Sequence, residues 1–414
     1  MNRFSDDIII IGGGIAGLCA ALALDGAGRR VTLVERDDRV FNRASLRNEG
    51  KIHLGLIYAA EKGRATADLQ LRGALHFQRL LASWTGGRSL GLTVSAPFTY
   101  LVERQSILSP DQIAAHFDHV ETRYRAHIAD DPTLGYLGTR PDRLWSVMEP
   151  AALRRWFDPG RFLGGFETAE LAIDPVELGD ALIAAVAARP GITLRCGHHV
   201  RSVHRGPAGF VLEGSAPTGT WRAEAGQVVN AAWDDLYRLD LEAGLTPPPG
   251  WLMRLKYRVL ARLPDSLRAA PSATLMLGPF GDVVVRGDGT AYLSWYPVGL
   301  QGWSHDVACP PAWDAPAAGR EDPERAAAIA AEILRQIDLW MPGIGQSTPY
   351  QIDAGAILAH GKSDVDDPES GLHGRMDSGV TSHDGWHSFN PGKLTTAPLF
   401  AQDALRAVCS GASA

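Results

Sequence analysis

Gly12, Gly14 and Gly17 stand at the spacing G-x-G-x-x-G, and the chemistry this spacing serves is the binding of a pyrophosphate. The first glycine allows a tight turn. The second lets backbone approach the phosphates, and the third lets a helix pack against a strand. Glu35, 18 residues past Gly17, can accept hydrogen bonds from an adenosine ribose and prefers a free ribose to a phosphorylated one. His53 carries an imidazole that titrates near neutrality and can take a substrate proton. The competing reading of His53 is a hydrogen-bonded structural residue. Near the other end of the chain, Gly392-Lys393-Leu394-Thr395-Thr396 puts a glycine loop at a helix start, where backbone N–H groups suit an anion.

The elements that must position these residues are legible around them. Ile8 to Ile11 is a continuous β-branched run, too short for a helix and apolar on both faces, as a central parallel strand should be. Ile15 and Ala16 open a helix that Leu18, Cys19, Leu22 and Ala23 continue and Asp25-Gly26-Ala27-Gly28 ends. Its N-terminus offers free N–H groups to phosphates. Arg30 to Glu35 reads as a second strand, with Arg36 just beyond it. A lone glycine motif is a weak signal in a chain of 45 glycines, but here the flanking strand, helix and second strand are all present.

The bulk numbers leave a narrow class. The chain has 414 residues, 45% hydrophobic and 21% charged, which is ordinary globular composition with room for two domains or one elaborate one. Net charge is 40 − 47 = −7 with no basic block, so nucleic acid is not an expected partner. Cys19, Cys196, Cys309 and Cys409 form no C-x-x-C pair, which argues against a disulfide framework, a zinc site or a dithiol redox centre. The apolar N-terminus carries Gly12, Gly13, Gly14 and Gly17 and is followed by Glu35-Arg36-Asp37-Asp38, so a nucleotide-binding unit is expected rather than a signal peptide or membrane span. A cytoplasmic protein follows.

After the second strand comes Arg43-Ala44-Ser45-Leu46-Arg47-Asn48-Glu49-Gly50-Lys51-Ile52-His53-Leu54-Gly55-Leu56-Ile57-Tyr58. With the glycine turn, this segment resembles the D-amino-acid oxidase superfamily of flavoproteins, and within it the Asn-Ser-Gly-x-Ile-His-x-Gly-x-x-Tyr run of the L-2-hydroxyglutarate dehydrogenase branch. Glu49 stands where that branch has serine. The terminal Gly-Lys-Leu-Thr-Thr run resembles the loop that closes the FAD domain of glycerol-3-phosphate dehydrogenase and its relatives.

The resemblance implies FAD as cofactor. It also implies an α/β fold: a Rossmann-like FAD-binding domain with an inserted antiparallel-sheet substrate domain. On the same ground Ala44, Ser45 and Asn48 touch FAD and His53 lies near the ring. Val200 approaches adenine by backbone, and Ala231-Ala232 pack beside the cofactor. Gly392, Lys393, Leu394 and Thr395 lie against the flavin, with His387 and Ser388 candidates by adjacency. Trp233 stands where many relatives have glycine. The expected division is 1–88, 167–236 and 351–414 for the FAD domain, and 89–166 and 237–350 for the substrate domain.

The pattern of the middle of the chain supplies a roof. Leu92–Ala96 and Phe98–Val102 read as short strands. Leu252–Arg262, Ala273–Leu277, Asp282–Arg286 and Thr290–Tyr296 read as an antiparallel sheet, with Gly287-Asp288-Gly289 as a hairpin turn. Arg286, Tyr292, Trp295 and Tyr296 are therefore pocket candidates; a substrate carboxylate wants an arginine fork, and Arg286 is the first choice. The same aromatic residues could simply pack. Arg254, Lys256 and Arg258 alternate onto one face, which could equally be solvated.

The expected function is FAD-dependent removal of hydride from a C–H bond next to an amine or hydroxyl of a small substrate, with or without a carboxylate, giving an imine or carbonyl. His53, Arg286 and Tyr296 are the proposed catalytic group, and oxygen or another carrier is the electron acceptor. Two alternatives stand beside it: an NAD-linked dehydrogenase, and a flavin-binding scaffold without turnover. The chain lacks a second G-x-G-x-x-G for a separate NAD(P)H domain and the late Gly-Asp-Ala motif of aromatic hydroxylases.

Overall fold

A computed structural model describes residues 2–411 except 88, 89, 208, 279, 280, 364–366 and 368. The Ile8–Ile11 run is fully interior. It forms the second half of a longer strand, β1 (Asn2–Ile11), whose exposed first half pairs in parallel with Trp221–Ala225 and stacks Phe4 on Trp221. The glycine turn leads into helix α1 (Ile15–Gly26), and β2 (Val31–Val34) then runs parallel to β1. Helix α1 is buried almost all round, because it lies between this sheet and the helices Pro175–Ala187 and Ala397–Gly411.

Among the described residues the first sheet has eight strands. Its path runs Gly379–His383, Trp386–Asn390, Gly219–Asn230, β1, β2 and Ile192–Arg195, with His199–Gly206 and Gly209–Ala216 attached as a meander. The ladders through the middle are parallel, and β1 sits centrally, as its two-sided apolar run requires. This is the doubly wound half of the expected α/β fold.

Among the described residues the second sheet has nine strands, built around Trp251–Arg262. That strand pairs with Thr348–His360 along its whole length, and with Thr290–Trp295 and Leu300–Ser304 on its other edge. Gly281–Val285, Ser272–Met276, Phe98–Glu103, Phe162–Thr168 and Trp145–Val147 extend the sheet. One face packs Met253, Leu255, Tyr257 and Val259 against Ile329, Ile333 and Ile337 of the helix Pro323–Asp338. The opposite face carries Arg254, Lys256 and Arg258, all buried. The solvated reading of that alternation is corrected: the helix covers the apolar face, so the cationic face turns inward.

Two expectations about the chain's course change. Leu92–Ala96 makes only isolated bridges at Val94 and Ser95 and is not a ladder strand. The return to the first sheet falls after His360 rather than at 351, because Thr348–His360 is held in the second sheet by its long pairing. The boundary expected between 88 and 89 lies outside the described residues. Among the described residues no helix is long and apolar enough to cross a membrane.

Candidate active site

One long cleft, with about 1610 Å³ of empty space including its mouth, runs between the two sheets. Gly12, Gly14, Ile15, Ala16, Glu35, Arg36, Ala44, Ser45, Asn48, Val200, Ala231, Ala232, Gly392, Lys393 and Leu394 all line it, as do His53 and Tyr296. The sequence therefore brings together segments more than 300 residues apart. Gly17, Thr395 and Arg286 do not line it.

The glycine end is shaped by backbone. Gly12 has φ +98°, and a Cβ there would come 2.6 Å from the Ala231 carbonyl oxygen, so only glycine fits the turn. A Cβ on Gly14 would lie 2.9 Å from Ser45 Oγ. Gly17 acts one layer down: its Cβ would sit 1.9 Å from the Gly12 carbonyl oxygen, so it sets the approach of helix to turn rather than touching a ligand. Ser45 Oγ accepts from the Ile15 N–H at 2.9 Å. Glu35 accepts from the Gly13 N–H at 2.6 Å and the Asp37 N–H at 2.8 Å, and burial raises its pKa despite those two amides. Asn48 donates to the Ala44 and Ser45 carbonyls and accepts from the Gly50 N–H, so its amide holds its own loop in shape. Arg36 pairs with Asp234.

The loop 44–48 is tied to the roof. Arg258 grips Asp353 through Nε at 2.6 Å and Nη2 at 3.3 Å, and donates from Nη1 to the Leu46 carbonyl at 2.8 Å. Trp233, where glycine was the comparison, adopts φ +50° and donates from Nε1 to the Ala356 carbonyl at 2.8 Å, joining the first sheet to Thr348–His360.

The inner end is built from side chains. His53 is buried; its backbone N–H donates to Thr395 Oγ1 at 2.9 Å, which explains Thr395 as a brace between the two loops. Its Nδ1 lies 3.6 Å from Glu170 Oε1 and its Nε2 lies 3.8 Å from Glu49 Oε1. Glu170 is fully buried, accepts from the Leu54 N–H at 2.7 Å and pairs with the Tyr100 hydroxyl. Burial lowers the His53 pKa, partly opposed by Glu170, so the imidazole is neutral near neutrality.

Lys256 Nζ stands 4.0 Å from the Tyr296 ring centroid. Burial works against its charge, yet Tyr292, Tyr296 and Glu49 outweigh it and raise its pKa. Burial lowers the Lys393 pKa, with Glu49 opposing. Glu49 is held below its usual range by Lys256 and Lys393, against the effect of burial. Arg254, Tyr292 and Arg375 complete the lining.

Arg286 is corrected. It lies past the end of Gly281–Val285, at the hairpin end of the sheet, with Nη1 3.8 Å from Asp174 Oδ2. Its strand points its side chain to the right face but too far along it. Trp295 packs over Gly281 in the apolar core, and His387 and Ser388 serve the first sheet, bonded to Gln227 and Asp240. Sequence reasoning left Glu49, Lys256 and Arg254 open and missed Arg375. The signal for the two on Trp251–Arg262 was present in the alternation of cations between apolar residues, which marks a buried ionic face as readily as a wet one.

These residues fit a dinucleotide: bare backbone where a Cβ has no room, a carboxylate beside the turn, and an elongated cleft that ends in charge. A family model described as FAD dependent oxidoreductase, DAO, matches residues 7–356. Among solved structures, glycine oxidase from Geobacillus kaustophilus superposes with a TM-score of 0.66 at 17% identity, covering 98% of this chain and 95% of that one. L-alpha-glycerophosphate oxidase from Mycoplasma pneumoniae, solved with FAD bound, gives 0.64 at 17% identity, with the same 98% and 95% coverage. A phytoene dehydrogenase from Streptomyces griseus is 56% identical over 45 residues, 11% of this chain and only 9% of that relative's length.

Proposed function

The chain belongs to the DAO family of FAD-dependent oxidoreductases, and from that premise we propose that it takes a hydride from a C–H bond next to an amine or hydroxyl of a small, carboxylate-bearing substrate, giving an imine or carbonyl. FAD is the family's cofactor, which sets aside the NAD-linked alternative, and the family's members are enzymes, which sets aside the scaffold. The observation that carries the reading is one cleft joining the glycine turn to a chamber of Glu49, His53, Lys256, Tyr292, Tyr296 and Lys393.

FAD, when bound, supplies the two-electron acceptor. The turn at Gly12, Gly14, Ile15 and Ala16 would hold its pyrophosphate, Glu35 its ribose, and Gly392, Lys393 and Leu394 its inner part. Lys256, fixed over Tyr296, offers a charged donor to a substrate carboxylate. His53 has Glu170 on its Nδ1 side, which favours the tautomer with the proton there and leaves Nε2 as the acceptor toward the cleft. A base so placed takes the proton of the amine or hydroxyl. Arg286, displaced to the hairpin, has no part in this. The named activities of two fold neighbours, one on glycine and one on a glycerophosphate, support keeping both amine and hydroxyl. Oxygen or another carrier is the proposed electron acceptor, and a cytoplasmic location belongs to the same reading.

Anaerobic mixing of the purified yellow protein with amino acids, N-methyl amines and 2-hydroxy acids tests it. Bleaching of the flavin band by one of these classes is the expected result. A protein that dithionite bleaches and none of them does would contradict it.

A further inference from the structure

We propose that Glu49 selects for a substrate nitrogen: it seats a protonated amino group, and His53 beside it takes the proton that group must lose. This rests on the oxidoreductase reading above and goes beyond it by choosing amine over hydroxyl.

Most of the carboxylates that line the cleft already have partners. Glu35 accepts two backbone N–H groups. Asp37 is bonded by Arg43 and Asn42, Asp234 is paired with Arg36, and Asp235 with Arg238. Among the described residues Glu49 alone of these accepts no hydrogen bond, and its ion contact to His53 is 3.8 Å long. An ionised carboxylate has room for about four donated hydrogen bonds, and one left bare inside a protein is costly. Lys256 and Lys393 keep it ionised from a distance without donating to it. Its side chain is 19% exposed, into the cleft, so a ligand seated there can supply the missing donors.

An ammonium supplies what is missing. It brings three N–H donors and a positive charge, whereas a hydroxyl brings one donor and none. The 3.8 Å gap between Glu49 Oε1 and His53 Nε2 is too long for a direct hydrogen bond, yet one nitrogen at about 2.8 Å from each would span it. A ligand carboxylate would meet Lys256 on the roof, so a zwitterion neutralises both sides of the chamber. The proton transfer is simple. One N–H bond breaks, its proton goes to Nε2 of the neutral imidazole, and the electron pair stays on nitrogen as the amine lone pair. Glu49, which Lys256 and Lys393 hold below its usual range, stays as the anchor.

The test uses the FAD-loaded protein and isothermal titration calorimetry under anaerobic conditions, with matched pairs of ligands: alanine and lactate, aspartate and malate, glutamate and 2-hydroxyglutarate. Wild type is expected to bind the amino member of at least one pair about tenfold or more tightly, the scale of a hydrogen-bonded charge. Glu49→Gln, which keeps the volume, should bring that ratio to about one and leave the hydroxy acid within about threefold. Glu49→Asp should retain part of the preference. A ratio unchanged in Glu49→Gln, or a wild type that favours no amino member, overturns the proposal. FAD content and dithionite bleaching are read on the same samples: loss of cofactor marks failure of the oxidoreductase reading, while a loaded protein indifferent to Glu49 marks failure of this one.

Discussion

The two ends of the cleft are made by opposite means. At the glycine end the wall is backbone, and the polar side chains near it are already engaged: Ser45 with Ile15, Glu35 with Gly13 and Asp37, Arg36 with Asp234. At the inner end the wall is side chain, with charge contributed by Glu49, by Lys256 on the roof, and by Arg375 and Lys393 near the C-terminus, around the neutral His53. Shape at one end exists before any ligand arrives, as binding without reorganisation requires. Charge at the other end faces the cleft, which suits a ligand that comes and goes.

The comparison breaks hardest at the glycine end. Gly17→Ala should be the most damaging single change, since its Cβ would overlap the Gly12 carbonyl at 1.9 Å and neither backbone can yield cheaply. We expect at least ~3 kcal/mol of lost stability and a preparation without FAD, read by thermal unfolding and cofactor extraction. Gly14→Ala should be milder, because the atom it meets is a side-chain hydroxyl, Ser45 Oγ; FAD affinity falls while the unfolding temperature barely moves.

Changes at the inner end should spare FAD and strike turnover. His53→Ala should retain the cofactor and slow its anaerobic reduction by ~10² or more; unchanged kinetics would return His53 to a structural role. Lys256→Met should weaken a carboxylate-bearing ligand by about 10- to 100-fold, with FAD content unchanged.

The smallest effect concerns neither end. His116 and His387 are buried as neutral imidazoles, with burial lowering each pKa from 6.5 to about 4. The unfolded chain takes up protons first as pH falls through 6.5, so the fold loses stability progressively from there down to about 4. His387→Gln should flatten that fall in the unfolding temperature; an equally steep fall would contradict it.

The same contrast governs what the sequence discloses. The glycine end is written in consecutive residues, because a turn at Gly12 and a helix at Ile15 are local geometry, and Glu35 follows from one strand's length. His53 and Gly392–Leu394 were recoverable through a family resemblance, although their meeting is made by Thr395, whose bracing role no spacing announces. The inner end depends on which face of Trp251–Arg262 looks inward. That was decided elsewhere, by the helix Pro323–Asp338 taking the apolar face, so Lys256 remained ambiguous from its own neighbours. Arg286 failed for a related reason: alternation gives a side chain's face but not its distance along the strand.

The most direct test of the central claim, that one cleft holds FAD at its glycine end and substrate at its charged end, is the visible spectrum of the purified chain together with its extracted cofactor. The account predicts one FAD per chain and a flavin band that shifts when a carboxylate-bearing ligand is added. A folded protein that is colourless and takes up no added FAD, or one whose flavin band no such ligand perturbs, would contradict it.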